Sequence, residues 1–445
     1  MPPAGLLVLL VVGACDRKPG AAERGGHIVV SGDTAGWIVP CGCASNQSGG
    51  LPRRGTYVAE LRKKGEAALV DAGGAPGGDS EYQKLKFEAL LVGTKQMGLA
   101  AHNVGAAEAR LGPTYLRETG ERLSVPFVSA NTRDADGQAI APASRIARIG
   151  GVRVLIVGVL SAQLAPTGWQ VEAPREAILR VLGKERQPND FVLVLAYAPE
   201  AELRELATGL PEVDAVVGGP TGQTIPPQQS GPTLLTSATN EGKFLVELEV
   251  RPKRAPRAVA QVIELSDKYA DHAAQKQNLT TYLGELGRRD FAAEQTGFAL
   301  ALPAGMPAEF RVAGAESCKE CHEAEWRTWH GINHSAAWQS LKDRGYHVDP
   351  YCQRCHTTGY GLPGGFVSVE RSADRVNVGC ENCHGPSAAH VREPKVHTPY
   401  VPADQCIRCH DRENSPHFEH EPYWAKIQHG PRATSAPAVK TAGVP

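Results

Sequence analysis

At 445 residues the chain has room for two or three domains, and 42% hydrophobic with 21% charged residues is ordinary for a folded soluble protein. A formal net charge of -1 leaves no overall basic or acidic excess, which argues against nucleic acid or a charged membrane surface as a partner. All eleven cysteines fall in short local patterns, so none remains for a long-range disulfide framework.

The apolar run from Gly5 to Ala14 is too short to span a bilayer but has the length of a signal-peptide core. It ends in Val12-Gly13-Ala14-Cys15, which resembles a bacterial lipoprotein box. That resemblance implies removal of residues 1–14, lipidation of Cys15 and attachment to the periplasmic side of a bacterial membrane. Met1 to Ala4 carries no Lys or Arg, a departure from the usual basic start. A soluble secreted form and a buried apolar strand remain the alternatives. Residues 15–26 read as a polar linker.

From residue 27 to 266, strand-like and helix-like stretches alternate. His27 to Val30, Ala67 to Val70, Val152 to Val157, Phe191 to Ala196 and Val213 to Val217 suit buried strands. Glu81 to Met97, Pro174 to Lys184 and Glu200 to Thr208 carry helical periodicity. Gly150-Gly151 between two apolar runs predicts a hairpin, and Phe244 to Val250 with Ala258 to Leu265 close the domain. The rhythm argues for an α/β sandwich. Within it, Cys41 and Cys43 lie two residues apart, where a disulfide would be strained and easily reduced. They read either as a redox or metal-binding pair, with Asp33, Asp71 or His102 as neighbours, or as packed structural thiols.

Residues 267–315 read as a polar helical spacer. From 316 to 430 the composition changes: two Leu, two Phe and no Met, against eight Cys and twelve of the fifteen His. So few aliphatic side chains cannot build a core of this length without another apolar body. Four copies of Cys-x-x-Cys-His supply one: Cys318/Cys321/His322, Cys352/Cys355/His356, Cys380/Cys383/His384 and Cys406/Cys409/His410. The spacing suits c-type haem, because two thiols add to the two vinyl groups of one porphyrin and the adjacent His becomes the proximal iron ligand. Zinc also takes paired Cys-x-x-Cys knuckles, but does not demand a His after every second Cys. Four covalent haem c groups in a mainly helical, loop-rich domain are therefore expected. Residues 431–445 read as a disordered tail.

Without a Met in this domain, bis-His or five-coordinate irons of low potential are expected. Trp326, His330, His334 and Trp338, at four-residue spacing, suit one helical face. The stretches Trp329-x-x-x-x-His334-x-x-Ala337, Cys380-Glu-Asn-Cys-His-Gly-Pro followed by His390, and Tyr423-Trp-x-Lys-Ile-x-His429-Gly resemble the small tetrahaem cytochrome c family of nitrifying bacteria. The resemblance implies His334, His390 and His429 as distal ligands and one iron with a vacant face. The second motif is the candidate for that iron, with His330, His347, His397, His417 and His420 as competing ligands.

In the first half, Ser31-Gly-Asp33-x-x-Gly36, Gly49-Gly-Leu-x-x-Arg54, Val70-Asp71-Ala-Gly73, Gly105-x-x-Glu108, Pro126-x-x-Ser-Ala-Asn131 and Val216-x-Gly-Gly219 resemble the 5'-nucleotidase-like metallophosphoesterases. That likeness implies an α/β/β/α sandwich. Such enzymes need two metals held by Asp, His and Asn. Position by position only Asp33 survives: Ala35, Gly74, Ala106, Tyr197, Pro220 and Gly222 stand at the other ligand positions, and Ala107 at that of the catalytic His.

The expected function is single-electron transfer between periplasmic or membrane redox proteins, with an inactive phosphoesterase-like docking module. An oxidoreductase acting on a small nitrogen or sulfur species at an open haem is the alternative, and an active hydrolase the remote one.

Overall fold

A computed structural model describes residues 25–40, 47–237, 239–302, 307 and 309–429. Cys15, the Cys41/Cys43 pair and the 431–445 tail, with the expectations attached to them, lie outside these residues.

The strands are β1 (Gly26–Ser31), β2 (Ala67–Asp71), β3 (Leu99–Asn103), β4 (Phe127–Val128), β5 (Thr132–Arg133), β6 (Ser144–Ile149), β7 (Val152–Leu160), β8 (Gln170–Val171), β9 (Phe191–Tyr197), β10 (Ala215–Gly219), β11 (Gln228–Ser230), β12 (Thr233–Ser237), β13 (Phe244–Val250) and β14 (Ala258–Glu264). Between or after them come α1 (Leu51–Lys64), α2 (Glu81–Gln96), α3 (Ala106–Arg110), α4 (Pro113–Leu123), α5 (Pro174–Glu185), α6 (Glu200–Gly209) and α7 (Ala273–Arg289).

Two six-stranded sheets form, in the orders β14-β13-β1-β2-β3-β4 and β11-β12-β10-β9-β7-β6. The runs that read as continuously apolar are the central parallel strands, because covering both faces of a sheet demands that composition. All seven residues of β9 are buried. One apolar cluster, including Ile28, Val30, Ile156 and Leu193, fills the space between the sheets. A second joins the first sheet to α1, α2 and α7, and a third joins the other sheet to α5 and α6. The result is the expected α/β/β/α sandwich. Gly150 and Gly151, with φ of 58° and 79°, turn β6 back into β7 as an antiparallel hairpin.

The 267–315 segment is not a spacer. Tyr282 and Leu286 of α7 are buried in the core shared with α1 and α2. Its polar look arises because Gln275 and Asn278, also buried, donate to the α2 carbonyls of Gly93 and Ala89. Further on, Ala293 N donates to Val367 O and Leu300 N to Tyr360 O, so residues 290–300 pack into the following region.

That region holds α8 (Glu323–His330), α9 (Ala337–Lys342), α10 (Pro350–His356), α11 (Cys380–His384), α12 (Ala388–Arg392) and α13 (His420–Trp424), joined by turns. Its own apolar cluster is small: Ala293, Trp338, Leu341, Tyr360 and Phe366. It leans on the sandwich instead. Tyr82 of α2 donates to Asp349 Oδ1 at 2.7 Å, Trp37 meets Tyr351 edge-on at 5.4 Å, and Lys243 pairs with Glu413 at 2.5 Å. No described helix is long and apolar enough to cross a membrane.

Candidate functional site

Each Cys-x-x-Cys-His motif lies on or beside a helical turn, and in such a turn residues i, i+3 and i+4 share a face. His322 N and His410 N each donate at 2.9 Å to the carbonyl of the first Cys of their motif. The second and third motifs are the α10 and α11 sequences. Pro350 at the start of α10 and the Asp349 side chain, which accepts from Tyr351 N, begin that helix. Both thiols and the imidazole of a motif are thereby brought to one side. None of the eight motif cysteines is in a disulfide. Cys318 interacts with Cys380, and Cys355 with Cys409. The first motif therefore abuts the third and the second abuts the fourth.

The histidines form pairs. Ring centres are 6.1 Å apart for His322 and His390, 6.3 Å for His334 and His410, and 6.0 Å for His384 and His429. Two imidazoles bound through Nε2 to one iron, with metal–nitrogen distances of about 2 Å, place their centres about 6 Å apart. The three spacings fit an iron between each pair. Nδ1 of His356, His390 and His429 donates to the carbonyls of Ala337, Val396 and Ile427 at 2.7, 3.0 and 2.9 Å, which leaves Nε2 as the free lone pair. Burial lowers the pKa of His334, His356, His384 and His410, and so favours the neutral, metal-binding imidazole. His356 donates to Ala337 O and lies close enough to His334 to act on it.

The competing histidines are engaged differently. His330 stacks on Trp326, His347 touches Trp338, His420 stacks on Trp424, and His397 lies 5.1 Å from His390. His417 is exposed. The single helical face expected for Trp326, His330, His334 and Trp338 does not exist, because α8 ends at His330 with Gly331 as its cap and α9 starts only at Ala337. That break frees His334 to face His410.

In the sandwich, residues at the carboxyl ends of β1, β2 and β3 come together, with Tyr197 of β9 beside them. Asp33, in a left-handed conformation with φ of 48°, accepts from Thr239 Oγ1 at 2.5 Å. Asp71 is held by Ser31 Oγ and Gly73 N. Glu108 Oε1 meets His102 Nε2 at 3.0 Å, and the same carboxylate accepts the N–H groups of Gly74, Ala75 and Gly105. Arg54 is 1% exposed and donates to Thr34 Oγ1. His102 engages Glu108 through Nε2, and its Nδ1 is buried without a hydrogen-bond partner.

Two metals do not fit here. A Cβ on Gly74 would sit 2.8 Å from Tyr197 Cε2, and one on Gly105 2.7 Å from Tyr197 Cδ2. The Tyr197 ring, packed with Ala106, Ala109 and Leu160, fills the space. Burial, then Glu108 and Asp33, raise the Tyr197 pKa and keep its phenol protonated. Among the described residues no three His, Cys, Asp or Glu side chains are grouped to hold a metal ion.

Sequence reasoning missed Tyr197 as a plug, Tyr82 as a clamp on Asp349, and Arg354 inside the second motif. The Asp349-Pro350 start of α10 was a readable signal for the clamped helix; nothing local announced the other two.

A family profile described as cytochrome c554 and c-prime matches residues 317–385. Cytochrome c-554 of Nitrosomonas europaea is 30% identical over 104 residues, covering 20% of this chain and 44% of the relative. The match thus spans less than half the length of that curated relative. Among solved structures, the calcineurin-like phosphoesterase YfkN of Bacillus subtilis aligns with 59% of this chain and 98% of its own at 16% identity and a TM-score of 0.50. A 5'-nucleotidase precursor from Thermus thermophilus aligns with 86% of this chain and 95% of its own, at 14% identity and a TM-score of 0.49. The chain joins a domain with the fold of the calcineurin-like phosphoesterases to a C-terminal region similar to cytochrome c554.

Proposed function

We propose that the protein is a tetrahaem c-type cytochrome that passes single electrons between periplasmic or membrane redox proteins, anchored by a lipid on Cys15. Haem c supplies the one-electron couple when bound. His322 with His390, His384 with His429, and His410 with His334 hold three irons from both sides, while His356 holds the second iron from one. Cys318, Cys321, Cys352, Cys355, Cys380, Cys383, Cys406 and Cys409 carry the thioethers. The phosphoesterase-like domain is a docking module without hydrolase chemistry. The three imidazole pairs at iron-spanning distance carry this reading. A haem count with redox titration of the purified protein tests it: four haems at low potential are expected, and fewer than four, or potentials all well above zero, overturn it.

The three imidazole pairs include three of the four proximal histidines and not His356, which favours a second reading, an oxidoreductase acting on a small nitrogen or sulfur species at that iron. A paramagnetic resonance spectrum that is wholly low-spin and unmoved by nitric oxide or cyanide removes it.

A further inference from the structure

Two charges of opposite sign, the partly buried Arg354 and the buried Glu381, sit inside the haem motifs, one at each contact between motifs. Arg354 lies between the cysteines of the second motif. Its Cζ is 4.2 Å from the Tyr351 ring centre and 5.2 Å from that of Phe298, and its Nε is buried without a hydrogen-bond partner. It acts on both Cys355 and Cys409, the thiols where the second motif meets the fourth. The facing carboxylate, Asp411, is 3.7 Å away and about one-third exposed. An arginine keeps its charge at every accessible pH.

Glu381 lies between the cysteines of the third motif and is 3% exposed. Its Oε1 accepts from Ala313 N and Ser387 N at 2.8 and 2.7 Å, and its Oε2 from Gly314 N at 2.7 Å. Burial raises the Glu381 pKa, and the three N–H donors together with Arg375 oppose that shift by favouring the acceptor-only, charged carboxylate. It acts on Cys318, the thiol that meets Cys380 where the first motif joins the third. Arg375 is the cation that faces it. The other charges within the motifs, Lys319, Glu320 and Arg408, are exposed. Water and salt screen those more than the partly buried Arg354 and the buried Glu381.

Oxidising a haem adds one positive charge, so a nearby buried cation favours the reduced state and a buried anion the oxidised state. We propose that Arg354 raises the potentials of the second and fourth haems and Glu381 lowers those of the first and third, splitting the four into two pairs. The inference rests on the tetrahaem reading. Tyr351 extends it toward the sandwich: its ring lies under Arg354 and against Trp37, two elements of packing that hold the guanidinium in place.

The experiment is spectroelectrochemical titration of the full-length, haem-loaded protein beside R354Q, R354K, E381Q and E381D, each with a haem count. In R354Q two of the four potentials are expected to fall and in E381Q two others to rise, with R354K and E381D staying near wild type. Potentials that do not move, that all move together, or that shift in the same direction in R354Q and E381Q overturn the proposal. If E381Q fails to load four haems, the arginine pair of variants decides. A wild-type count below four strikes the tetrahaem reading instead, which separates the two failures.

Discussion

The ring of Tyr197 occupies the space that a side chain on Gly74 would need, with Cε2 2.8 Å from where a Cβ would lie. Gly74 also has φ of 82°, a left-handed conformation that costs other residues about 1–2 kcal/mol. Gly74→Asp therefore destabilises by about 2–4 kcal/mol through backbone strain and overpacking. Thermal unfolding measures the loss. Hydrolysis of a nucleotide with added manganese stays absent in both G74D and the wild type.

His429 is the only imidazole recorded facing His384 among the described residues. His429→Ala is expected to convert one low-spin haem to high-spin, with four haems still attached. His420→Ala, which loses only a stack on Trp424, should leave the resonance spectrum as it was. Equal spectra for the two variants would show that His429 is not a ligand.

The hydroxyl of Tyr82 bonds Asp349, which in turn caps the helix carrying the second motif. Tyr82→Phe removes a donor to a buried carboxylate and costs about 1–3 kcal/mol. Hydrogen exchange should quicken across residues 349–357. Tyr115→Phe, whose hydroxyl bonds Glu88 within the sandwich, is the control and should leave that segment protected.

The buried His102–Glu108 pair makes stability depend on pH in both directions. For His102, burial opposes the charge, but Asp71 and the Glu108 hydrogen bond outweigh it and raise its pKa above 6.5. That contribution is complete below pH 6.5 and is lost as pH rises through the raised value. For Glu108, burial is outweighed by His102 and by the backbone N–H groups of Gly74 and Ala75, so its pKa falls below 4.5. Its contribution is present above 4.5 and is lost as pH falls through the lowered value. Urea midpoints should be highest between these limits and decline on the alkaline side by about 1–3 kcal/mol, the worth of a charged hydrogen bond. In His102→Gln the alkaline decline should vanish.

Much of the sandwich was legible because its central strands, such as Phe191 to Ala196, must be apolar on both faces and because Gly150-Gly151 has few alternatives to a tight hairpin. The helix α7 was misread as a spacer: Gln275 and Asn278 look solvent-facing in sequence, and only the α2 carbonyls they meet make them interior residues. Likewise, spacing alone suggested one continuous helix through His330 and His334, whereas Gly331 ends α8 before the second histidine.

The four Cys-x-x-Cys-His motifs could be read from sequence alone, since attaching a porphyrin would demand groups at set positions along one turn. The loss of metal-binding side chains was equally plain, because a missing carboxylate or imidazole needs no coordinates to be noticed. Which histidine lies by which, which motifs touch, and that Tyr197 packs against Gly74 and Gly105 were decided by the tertiary structure. Those relations join residues up to about a hundred positions or more apart, and only packing in three dimensions determines which distant groups come within bonding distance.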